Sequence, residues 1–154
     1  MGMRLSLHVL PKDVAKKLWL VTEYDDYYEL TRNLECIVYD FCTDAMWDIY
    51  TDADKELKKK MKRLTKTKLS VEEDIVLGKM DKEGFMVFLN RVKWYAERQI
   101  KESDNPLQYW DYHYEPESPW RLLGSVDWLS AYYECWFILR KMDWENNYIL
   151  YEIG

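Results

Sequence analysis

The chain holds two histidines, three cysteines, five glycines and four prolines in 154 residues, and each shortage closes off a class of protein. With only His8 and His113 there is no pair of imidazoles at helical spacing, so no conventional metal site is expected. Cys36, Cys42 and Cys135 leave one thiol over from any disulfide set and match no zinc spacing, which favours a reducing compartment. Gly78 and Gly84 stand alone among charged and apolar neighbours, so a glycine-rich phosphate loop is absent. No apolar run approaches the roughly 20 residues of a membrane span, and the N-terminus lacks the apolar stretch of a leader. The expectation is a cytoplasmic protein with no membrane partner. With 48% hydrophobic and 32% charged residues and so little glycine and proline, collagen-like and disordered classes are excluded. The length suits one domain with one core.

What the chain has in excess is aromatic side chain: 8 Trp, 13 Tyr and 4 Phe. Such rings supply core or interface area beyond what this length usually carries. Residues 3–10 alternate apolar and polar and predict a strand that ends at Pro11. There is no Gly or Pro between Lys12 and Leu77, and long helices are the natural filling. Periodicity predicts helices over about 13–22, 26–50, 53–66, 70–77, 81–102 and 118–141. The second rests on Tyr27, Leu30, Leu34, Ile37, Val38 and Phe41, and Gly78 reads as the stop of the fourth. The last is apolar on two adjoining sides, Leu122, Val126, Leu129, Tyr133 and Trp136 against Trp128, Tyr132, Cys135 and Leu139, which predicts a helix covered on most of its circumference. Asn146-Asn147 makes a turn into a strand over 148–153 that pairs with the first. The expected fold is therefore mainly α, with a two-stranded ribbon joining the termini; α+β is the alternative.

Charge is segregated. Residues 55–68 carry eight cations against Glu56 alone, so in a chain of net charge −6 the remainder carries −13. On a continuous helix Lys55, Lys58, Lys59, Lys62 and Lys66 share one face, a candidate phosphate grip; a solvated face neutralised by the protein's own carboxylates is the plainer reading. Asp40, Asp44 and Asp48 recur every four residues, where like charges repel along a helix. Either the lysines of a helical hairpin offset them, or a partner's basic surface does.

The segment Tyr109, Trp110, Asp111, Tyr112, His113, Tyr114 combines interface-favoured rings with carboxylates, and has no Lys or Arg from Leu107 to Trp120. That composition suits a basic protein surface better than single-stranded nucleic acid, though the same rings would also serve to cover a core. No catalytic signature, cofactor motif or metal set emerges, and an unrecognised active site is the third alternative. The composition is similar to that of phage-encoded inhibitors and immunity-type proteins, an analogy of composition without a motif. The functional expectation is an acidic, non-enzymatic protein-binding protein, an inhibitor or masking factor, using Tyr109–Tyr114 and the Asp row, with a homodimer also compatible. A nucleic-acid or phosphate binder using the basic helix is the runner-up.

Overall fold

The computed structural model describes residues 5–39, 55–69, 76–102 and 128–153. Among them run four strands and five helices in the order β1 (Leu5–Pro11), α1 (Lys12–Trp19), α2 (Tyr24–Thr31), β2 (Cys36–Tyr39), α3 (Lys55–Lys60), β3 (Val76–Met80), α4 (Lys82–Glu102), α5 (Trp128–Lys141) and β4 (Asn147–Ile153). The strands form one antiparallel sheet in the order β2-β1-β4-β3. The fold is α+β, which corrects the mainly α expectation.

The terminal strands pair in register from Leu5↔Ile153 to Pro11↔Asn147, but as the two central strands of the sheet rather than as a ribbon. Both faces of these strands are buried. Leu7, Ile149 and Tyr151 point to one face with Met80, under Phe85, Phe88 and Val92 of α4 and Ala131, Cys135 and Ile138 of α5. Leu10 and Leu150 point to the other, under Ala15 and Leu18 of α1 and Tyr27 of α2, with Leu64 and Leu69. A strand covered twice needs apolar residues in succession, which explains the run Tyr148 to Tyr151.

Three predicted helices are corrected. The one over 26–50 ends at Thr31: Leu34 N–H donates to the Thr31 carbonyl, and Cys36–Tyr39 then pairs with β1. Its apolar spacing fits a helix, but Ile37, Val38 and Tyr39 are strand formers, and the edge of β1 supplies hydrogen bonds that a local pattern does not reveal. The helix over 53–66 stops at Lys60, after which Lys62 exchanges two backbone hydrogen bonds of 2.9 Å with Lys79 and extends the β3 edge. In place of the end of a helix over 70–77 stands β3, and Gly78 lies within it. A Cβ at Gly78 would overlap the ring of Tyr151, its cross-strand partner, so the glycine makes room for that ring rather than stopping a helix. The predicted helix over 81–102 is α4, capped by Asp81, whose Oδ1 accepts from Gly84 N–H at 2.8 Å. No helix among the described residues is long and apolar enough to cross a membrane.

Candidate functional site

Tyr109, Trp110, Asp111, Tyr112, His113 and Tyr114, and likewise Asp40, Asp44 and Asp48, lie outside the described residues. The basic candidates are described, and they do not form the expected row. Lys55, Lys58 and Lys59 belong to α3, whereas Lys62 lies in the bridge to β3 and Lys66 beyond it, its N–H donating to the Trp19 carbonyl. Two of the segment's cations are already engaged by the turn that opens α4: Lys62 Nζ meets Asp81 Oδ2 at 2.9 Å, and Lys60 Nζ meets Glu83 Oε1 at 2.6 Å. Burial pushes the Asp81 carboxyl up, but the Gly84 amide and the Lys62 ammonium outweigh it and hold it below the usual range. Part of the basic segment is thus neutralised from within, by carboxylates that the sequence pattern did not single out.

Among the described residues, the element with the most exposed large apolar side chains is α5. Its inner positions Ala131, Cys135 and Ile138 are buried, while Tyr133, Trp136 and Phe137 are 63%, 37% and 51% exposed. Spaced three and four apart, the outer residues form a second stripe along the helix. The helix is therefore not wrapped on most sides, as its sequence suggested, among the described residues. Trp136 and Phe137 meet edge-to-face with centroids 5.4 Å apart. Each ring also carries a cation: Arg140 lies 5.0 Å from the Trp136 centroid and Lys141 5.7 Å from that of Phe137.

Beside this stripe opens a cleft of about 400 Å³. Val9 of β1, Ile37 of β2 and Phe137, Ile138 and Met142 at the end of α5 give it an apolar floor; Glu35, Lys141, Asp143 and Asn147 supply its polar groups. Ile37 is the residue left over where the β1–β2 register shifts between Leu7 and His8, so a β-bulge brings it to the cleft. The turn from α5 into β4 is held by Asp143, which accepts from Asn146 Nδ2 at 2.9 Å and from Glu145 N–H at 3.2 Å. The bond from Asn146 holds its carboxyl below the usual range, helped by the backbone of the turn and by Lys12. Asn147 anchors the other end, donating through both N–H and Nδ2 to the Asp143 carbonyl.

On the opposite sheet face, Ser6 Oγ lies 3.2 Å from His8 Nε2, and the buried Tyr27 hydroxyl donates to Glu152 Oε2 at 3.4 Å. Burial lowers the His8 imidazole, and the Glu152 carboxylate and Leu34 backbone pull against it without prevailing. Burial, then Glu152, pushes the Tyr27 hydroxyl far up. The Tyr27–Glu152 bond ties α2 to β4. No group of three His, Cys, Asp or Glu gathers to hold a metal among the described residues. No family model, curated protein or solved structure matches the chain.

Proposed function

We propose that this chain works by binding another protein, as an inhibitor or masking factor, and that the outer stripe of α5 with its adjoining cleft is where the partner docks. The observation that supports this is the sharing of Phe137 and Lys141 between the exposed stripe and the cleft. Interfaces concentrate their energy where a ring or aliphatic anchor fills a pocket ringed by Trp, Tyr and Arg, and the cleft is of a size to receive such an anchor. Tyr133, Trp136 and Arg140 are of those types and belong to the stripe that meets the cleft at Phe137. Arg140 and Lys141 suit a partner with carboxylates around its anchor, whereas Tyr109–Tyr114 and the Asp row suit a basic one. The two patches then serve different parts of a partner, or different partners.

The test is retention of a partner from nuclease-treated native extract on immobilised protein, comparing the parent with Trp136→Ala/Phe137→Ala and with Trp110→Ala/Tyr112→Ala. One protein held stoichiometrically by the parent, with affinity lowered by about 2 kcal/mol or more in the α5 variant at unchanged Tm, supports the reading. Equal retention by the parent and the α5 variant removes α5 from the interface. Retention of nucleic acid alone by untreated samples favours the runner-up.

A further inference from the structure

On the other face of the sheet, the end of α1 also exposes apolar side chains: Leu20 is 76% exposed and Trp19, beside it, 40% exposed. Lys16 and Lys17, both exposed, lie four and three residues before Leu20 and so share its side of the helix. Further cations reach the same end from elsewhere in the chain. Lys66 N–H donates to the Trp19 carbonyl at 2.9 Å, and Leu64 and Leu69 pack with Ala15 and Leu18 of α1. These contacts keep the segment that carries Lys66 and Lys68, both exposed, against α1. From β3, Lys79 Nζ comes within 5.8 Å of the Trp19 ring centroid. None of Lys16, Lys17, Lys66 and Lys68 pairs with a carboxylate among the described residues. The favourable field at a helix C-terminus accounts for Lys16 and Lys17. It accounts neither for the exposed Leu20 nor for lysines brought there from a distant segment.

The shape of this tip decides between occupants. Leu20 stands out from the surface, so a folded partner would need a pocket to receive it. The boundary between lipid headgroups and acyl chains accepts an apolar tip without one. Trp suits that depth, having an apolar body and a polar N–H, and lysine stems lie along apolar surface while their ammonium groups stay in water. We propose that the Trp19–Leu20 tip, flanked by Lys16, Lys17, Lys66 and Lys68, docks reversibly on a membrane surface that bears anionic lipids. The sequence expectation of no membrane partner rests on the lack of a span and of a leader, and neither bears on a protein that lies on the surface. The basic segment 55–68 then has two uses: Lys60 and Lys62 hold the turn that opens α4, and Lys66 and Lys68 face the headgroups. The tip lies on the sheet face opposite α4 and α5, so it is independent of the α5 docking surface.

Flotation of the full chain with vesicles of phosphatidylcholine alone, or with about 30% phosphatidylserine, tests this at about 50 mM and about 150 mM salt. Binding to the anionic vesicles is expected to be about tenfold or more stronger than to the neutral ones, and weaker at the higher salt. Leu20→Ser and Lys66→Gln/Lys68→Gln should each weaken it about fivefold or more. Lys93→Gln/Lys101→Gln, which removes two exposed cations of α4, should change it less than about twofold. Glu23→Gln removes the carboxylate nearest to Leu20 in the chain and should strengthen binding. No binding, equal binding to both vesicles, or equal losses in the two lysine pairs overturns the proposal. So does unchanged affinity in Leu20→Ser, since charge alone would then hold the vesicle. Binding of polyglutamate with the same dependence on the variants, without vesicle binding, overturns it in favour of an acidic protein. Thermal midpoints accompany every variant, and Lys16→Gln/Lys17→Gln takes the place of the Lys66 and Lys68 pair if that pair lowers its own.

Discussion

Two single residues carry consequences that no neighbouring pattern would reveal. Gly78 faces the ring of Tyr151 across the β3–β4 pair, where any Cβ would meet that ring. Gly78→Ala should therefore destabilise the protein by about 1–3 kcal/mol, the usual cost of overpacking. In a Tyr151→Leu background the same change should cost less, which urea denaturation of the four members of the cycle would measure. His8 acts through protonation. Its folded-state affinity for a proton is lowered from an ordinary value of 6.5, so the unfolded chain binds more protons as pH falls below that value. Stability is then lost as pH drops from about 6.5 toward the lower folded value and levels off beneath it. His8→Gln should remove this slope, as denaturation midpoints between about pH 5 and 8 would show; an identical slope in the variant assigns it elsewhere.

At the scale of elements, Asp81 joins two of them: it caps α4 and holds Lys62 beside the β3 edge. Asp81→Ala should cost about 1–2 kcal/mol, most of it from the cap, and Asp81→Asn should recover most of that, since an amide oxygen also caps. Equal losses in the two variants, by thermal or urea unfolding, would shift the weight to the ion pair. Elements were unequally legible in the sequence. The alternation of residues 3–10 and the long apolar stripe of α4 were readable because their signal is local and repeated. β2 was hidden because Leu34, Ile37 and Val38 also fit a 3.6-residue period, and only its pairing with β1 makes Cys36–Tyr39 a strand. β3 was hidden for a like reason, since Gly78 beside a short apolar run reads as a helix stop unless Tyr151, far along the chain, is known to lie over it. At the candidate site, Tyr133 and Trp136 stand on an apolar side that the sequence reads as covered, and Phe137 falls on neither apolar side. Which of two apolar sides a helix buries is decided by what packs there, and no periodicity records it.

For the molecule as a whole, β4 is the hinge of the packing, because its successive residues belong to different layers. Ile149 packs under α4 and α5, and Leu150 under α1 and α2, with both side chains fully buried. The strand also supplies the backbone partners of both β1 and β3. Loss of either layer therefore exposes one face of a strand that the other layer needs in place, which predicts a single cooperative unfolding transition rather than two. Ile149→Ala and Leu150→Ala should each cost about 2–5 kcal/mol, although they open cavities on opposite faces of the sheet. The sharper expectation concerns where the loss appears. In native-state hydrogen exchange, Leu150→Ala should lower protection of the slowest amides of α4, which its side chain never touches, by as much as those of β1. If the sheet and its α4–α5 layer held together while α1 and α2 opened alone, protection on α4 would stay at the parent's level, and β4 would be a shared border between two separately stable layers.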